Sequence, residues 1–126
     1  MGSDGRTTVS SAVFQHIAEV VMREMDSIVD RKGIPKGFPT NLFTRLTPQV
    51  LVIKEEEKEE DFGKVGFELK LATFYGIKIP EVAEKVREEF VKVVEDLTGY
   101  TVSKVDIVFD RIVSESELET EEPEEK

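Results

Sequence analysis

Cysteine is absent from this 126-residue chain. That removes a disulfide scaffold, a zinc knuckle, a thiol nucleophile and a redox motif together. Histidine occurs once, at His16. One imidazole and no thiolate cannot build the usual transition-metal site, so no metal or other cofactor is expected. None of the seven serines stands in the Gly-x-Ser-x-Gly elbow. Long apolar runs are missing as well. Nothing approaches the ~18 residues of a membrane span, and the N-terminus shows neither the basic stretch nor the apolar run of a signal peptide. The expectation is an intracellular protein without direct membrane insertion. Glycine-rich phosphate cradles are lacking. Gly33-Ile34-Pro35-Lys36-Gly37 is one residue too long for a Gly-x-x-Gly clamp and has neither P-loop nor Rossmann spacing.

Positive charge is scarce too. Seventeen Lys and Arg face 27 Asp and Glu, for a net charge of -10. Residues 114–126 alone hold seven Glu and one Lys. Their only large apolar residue is Leu118, so they are read as an acidic, disordered tail. The remainder, 1–113, is read as a single domain. Its weakly acidic balance argues against nucleic-acid binding, which relies on basic surface to neutralise phosphates. A second acidic run, Glu55 to Asp61, lies between two apolar segments. It lacks the spacing and central glycine of a calcium loop and reads as a solvated turn.

What is present is periodicity. Apolar residues form 39% of the chain, enough to predict a folded core. Ser10 or Ser11 is a suitable helix N-cap. Phe14, Ile17, Ala18, Val21, Met25 and Ile28 then recur at steps of three and four, which predicts an amphipathic helix of 16–19 residues. His16 falls on its polar face and reads as a solvated side chain. Val50 to Lys54 has strand length. Val65 to Tyr75 alternates, with Val65, Phe67, Leu69 and Leu71 on one face. The two should form an antiparallel hairpin. Gly76 ends the second strand, and Tyr75 beside it is expected to be half-buried. Pro80 fits the first turn of a second helix. An apolar stripe from Val82 to Leu97 follows, and Gly99 suits a left-handed cap. Thr101 to Val113 alternates as a closing strand. Gly5 to Val9 could add a short strand at the start. The fold expected is α+β in the order (β)αββαβ: a two-layer sandwich with two amphipathic helices on one face of a three- or four-stranded sheet.

Phe67 to Val86, which contains Tyr75-Gly76 and Ile79-Pro80-Glu81-Val82-Ala83, resembles the bacterial alkaline shock protein family, also described as an envelope stress-response family. Leu97-Thr98-Gly99-Tyr100 and Val102 to Ile107 continue the likeness. It extends over residues 65–113, more loosely over 6–29, and fails across 30–64. The resemblance implies a non-enzymatic cytoplasmic protein of the alkaline or cell-envelope stress response. It also implies contacts with other proteins, including a small membrane protein that can hold the chain peripherally at the membrane. It supplies no catalytic, cofactor or metal residue.

Residues 30–48 depart most from the family pattern. They are punctuated by Gly33, Pro35, Gly37, Pro39 and Pro48, which a helix cannot run through. Arg31, Lys32, Lys36, Phe38, Phe43 and Arg45 are the candidate partner-contact residues there. Their apolar members either cover an edge of the core or form a contact surface. The alternative to a protein-binding scaffold is a nucleic-acid-binding α+β module that uses this basic-aromatic segment. Exposed strand edges would also permit a homo-oligomer.

Overall fold

The computed structural model describes residues 7–28, 41–54 and 62–113. The acidic turn, the acidic tail, residues 1–6 and the candidate residues Arg31, Lys32, Lys36 and Phe38 lie outside them. The order of elements is α1 (Ser11–Arg23), α2 (Met25–Ile28), α3 (Leu42–Arg45), β1 (Gln49–Lys54), β2 (Lys64–Phe74), α4 (Ile79–Thr98) and β3 (Thr101–Val113). The protein is α+β, with a three-stranded mixed sheet in the order β1-β2-β3.

The first helix starts where a cap is available. Ser10 is extended, and its hydroxyl accepts from the Val13 N–H at 3.2 Å. One continuous helix is expected through Ile28, but the run breaks at Glu24 into α1 and the four-residue α2. Phe14, Ala18, Val21 and Met25 are buried as their spacing predicts, and Met22 joins them. No strand forms across Thr7 to Ser10, so the optional opening strand is absent among the described residues.

The proline-rich connection carries a short helix of its own. The Asp26 carboxylate accepts from the N–H groups of Phe43 at 2.8 Å and Thr44 at 3.2 Å. These are two of the donors that a helix start leaves free, and a negative charge is favourable there. Leu42, Phe43 and Leu46 enter the core, and the Leu46 carbonyl accepts from the Ala72 N–H at 3.0 Å.

β1 and β2 pair antiparallel, with Val52 opposite Phe67. β2 and β3 pair parallel, with Phe67 beside Val105. Parallel neighbours need a crossover between them, and α4 supplies it. The unit is therefore an adjacent β-α-β, because no strand separates β2 from β3. Pro80 lies in the first turn of α4, and Gly99 closes it at φ 77°, a conformation glycine adopts without a Cβ penalty. Val82, Val86, Phe90 and Val94 are buried, whereas Leu97, the last member of the stripe, stands exposed.

Phe67 shows how the layers meet. Its ring takes Phe14 of α1 edge-on at 6.0 Å and Phe90 of α4 at 4.9 Å. Both long helices therefore lie on the Phe67 side of the sheet. Tyr100 closes this layer: its ring meets Phe14 at 4.9 Å, and its hydroxyl accepts from the Val9 N–H at 3.2 Å.

Candidate interaction surface

Two of the six candidate contact residues are described. Phe43 is only 1% exposed and belongs to the core. Of the two roles open to it, it takes the one at the core edge. Arg45 is half-buried, and its Nε donates to the Asn41 Oδ1 at 3.1 Å within the same turn. The structure brings neither to a common surface with the other.

Three backbone groups on the sheet edges are bonded to helix side chains. An unpaired edge is a template for another strand, but helix side chains reach over both edges here. On β1, Gln15 Nε2 donates to the Val50 carbonyl at 2.9 Å. On β3, Arg87 Nε donates to the Val105 carbonyl at 3.1 Å. Close by, Glu95 Oε2 accepts from the Val102 N–H at 2.8 Å. These contacts span separations of up to 35 residues and occupy backbone groups that an added strand would need.

Among the described residues, no helix covers the middle of the sheet face away from α1 and α4. The pairing places Leu51, Glu68 and Asp106 in one row across it, and Gln49, Lys70 and Val108 in the next. Leu51 is 53% exposed and Val108 37%. Lys104 and Asp106 make a surface ion pair at 3.8 Å. A Cβ added to Gly66 would lie 3.2 Å from Lys104 Cγ, so the lysine stem passes over that glycine.

At the carboxyl end of the parallel strands a second exposed group emerges. Tyr75, expected to be half-buried, is 76% exposed. The turn that Gly76 makes at φ 103° directs the chain into α4, and Tyr75 precedes that turn without entering the core. Ile112, beside Thr73 in the β2–β3 ladder, is 66% exposed, and Ile79 is also exposed. The Thr73 hydroxyl oxygen at this end is buried without a hydrogen-bond partner. Arg111 ties the end together. Its Nε donates to Asp110 Oδ1 at 2.9 Å, one terminal nitrogen donates to the Thr47 hydroxyl, and the other to the Thr47 and Lys70 carbonyls. Thr47 holds a left-handed φ of 47° at this crossing.

A groove of about 240 Å³ lies between α1, α3 and β1, lined by Glu19, Met22, Arg23, Thr44, Pro48 and Val50. His16 is exposed on α1. No group of three His, Asp or Glu side chains among the described residues is placed to hold a metal ion. No described helix is long and apolar enough to cross a membrane. What the arrangement offers chemically is apolar and strand-face contact. Exposed Tyr75 was the residue that sequence reasoning undervalued; its place before a turn glycine gave no sign of which way the ring would point.

No solved structure matches this chain. A family model does, over residues 2–114: that of the alkaline shock protein 23 family, described as having a cell envelope-related function. The match takes in the Tyr-Gly turn, the proline-started helix, its glycine cap and the closing strand, and it covers most of the chain, which therefore belongs to the alkaline shock protein 23 family.

Proposed function

We propose that this protein is a non-enzymatic scaffold of the cell-envelope, alkaline-type stress response. It acts in the cytoplasm through contacts with other proteins, among them a small membrane protein that holds it peripherally at the membrane. The observation that carries the reading is the exposed Tyr75, with Ile112 and Ile79 at the same end of the sheet. Large apolar side chains meeting water together mark contact sites, whereas scattered ones do not, and Tyr and other aromatics are favoured in interface centres. Tyr75 also lies within the segment that bears the family signature. The cell envelope-related function of the family supports the setting.

The basic residues Arg31, Lys32 and Lys36 and the ring of Phe38 belong to the same proposal as a second contact, whereas Phe43 is committed to the core. The test is affinity capture from the protein's own cells, with detergent-solubilised membranes included. One small membrane protein should be recovered with the parent chain and lost with a Tyr75→Ser/Ile112→Ser variant that keeps its thermal midpoint. Recovery of nuclease-sensitive material in its place, released steeply by salt as phosphate contacts must be, would overturn the scaffold reading in favour of a nucleic-acid module.

A further inference from the structure

We propose that the envelope partner joins this chain as an added strand, an extended segment laid along the edge of β3 from Ile107 toward the Tyr75 end of the sheet. The inference rests on the reading above and names the form and chemistry of that partner.

The first observation is where α4 stops covering the edge. Val105 presents its carbonyl to Arg87, and Val102 its N–H to Glu95. Glu95, Val91, Arg87 and Ala83 stand at steps of four, so they form one row along the helix. Four helix residues rise ~6 Å, and two strand residues ~6.6 Å. The next position on the row, Ala83, therefore comes level with Ile107, and a methyl group has nothing to donate. The register is regular from Lys104 to Phe109, so alternate residues turn their backbone groups to the same edge. The N–H and C=O groups of Ile107 and Phe109 thus share the edge that Val105 faces. Among the described residues, no helix side chain is bonded to them.

The second is side-chain cover. Ile107 and Phe109 pack against the core, yet both are only half-buried. Their neighbours on β2, Leu69 and Leu71, have no exposed surface. The apolar layer thins at this edge, and alternate aliphatic residues on a further strand would continue it. The same edge runs on to Ile112, in the exposed group around Tyr75.

The third is charge. In α4 beside Ala83, a shallow hollow is lined by Glu81, Glu84, Lys85 and Glu88, three acids against one base. A strand entering there gains from a Lys or Arg, and the cytoplasmic flanks of membrane proteins are rich in both. The occupant is therefore an extended segment with alternating aliphatic residues and one basic residue on the side of α4. Such additions take affinity from main-chain hydrogen bonds and specificity from alternate side chains.

The probe is a short synthetic peptide in which valine alternates with threonine and one valine is replaced by lysine, added to the full chain and followed by amide NMR. In the free protein, the Ile107 and Phe109 amides should exchange faster than that of Val108, which lies between them on the β2 side. The peptide should shift and protect both, with a Kd of ~1 mM. Ala83→Gln extends the cap in the way Gln15 caps Val50, and it should weaken binding at least about tenfold. Ala83→Ser, too short to reach, should bind like the parent. A peptide with a central proline should not bind. No shift at ~10 mM peptide, shifts confined to another surface, or equal binding by Ala83→Gln overturns the inference. So does protection of both amides that rises with protein concentration alone, which would make a second copy the occupant. In the affinity capture, a membrane protein kept by Ala83→Gln but lost with Tyr75→Ser/Ile112→Ser overturns the added strand and leaves the scaffold standing. Peptide bound at the edge with no membrane protein captured keeps the edge as a strand acceptor and overturns the envelope scaffold.

Discussion

β2 has two faces, and they live in different worlds. On one, Val65, Phe67, Leu69 and Leu71 lie beneath α1 and α4 with no exposed surface. On the other, Glu68 and Lys70 look out between Leu51 and Val108, with no helix above them among the described residues. Alternation along a strand separates the two sets by a single residue step. The difference teaches that the same ladder is a core on one side and an available surface on the other, and substitutions on the two sides should behave as if made in different proteins.

The sharpest contrast comes from the centre of the covered face. Phe67→Ala removes a ring that touches both helices. Its expected loss is about 3–5 kcal/mol, read as a lower urea midpoint. The matching change on the open face, Leu51→Ala, concerns a side chain already half in water. It should cost less than about 1 kcal/mol. Equal losses at the two sites would mean that something covers the open face in solution.

A smaller effect is expected where the covered face is sealed at its side. Asp26→Ala strips two backbone N–H groups of their acceptor at the start of α3. The cost should be about 1–2 kcal/mol. Hydrogen exchange at Phe43 and Thr44 should quicken ahead of exchange in β2. Unchanged exchange at both amides would show that α3 stands without this cap.

Much of the covered face is legible from spacing, because helix and strand periods sort buried from exposed residues by arithmetic alone. α4 is the clearest case, with Pro80 opening it, Gly99 closing it and Val82, Val86, Phe90 and Val94 lining one side. The open face and the edges are harder to read. Gln15 meeting Val50, Arg87 meeting Val105 and Asp26 meeting Phe43 join residues 17 to 35 apart by single polar contacts. Such contacts leave no periodic trace. The break at Glu24 and the α3 turn fall in the same class, since both depend on tertiary partners. At Phe43 the sequence shows an apolar residue in a basic segment, and only packing decides between core and contact surface. Tyr75 goes the other way for the same reason.

At the carboxyl end the two faces converge, and there the expected change is stabilising. The Thr73 hydroxyl is buried without a partner. A buried polar group left unpaired is unfavourable, and valine keeps the branched shape while removing it. Thr73→Val should raise stability by about 1 kcal/mol, seen as a higher thermal midpoint. A fall would show that the hydroxyl is satisfied in solution by water.

The smallest effect concerns the ion pair beside that end. The Nε–H that Arg111 donates to Asp110 holds this carboxyl below its usual 3.8, opposed by desolvation and assisted by attraction to the guanidinium and to Lys70. A carboxyl whose folded value is depressed contributes stability above its unfolded value, and the contribution is lost as pH falls through the folded one. The window therefore lies at and below pH 3.8, and near neutrality the contribution is fully present. Asp110 is open to solvent, so screening keeps the effect small, and it is best read site by site. In an NMR titration the Asp110 carboxyl should titrate below 3.8 in the parent chain and move up toward it in Arg111→Gln. The same substitution releases the Thr47 hydroxyl and the Lys70 carbonyl from the guanidinium. Faster exchange at the start of β1 should then accompany the shift, and a shift without it would confine the role of Arg111 to its neighbour.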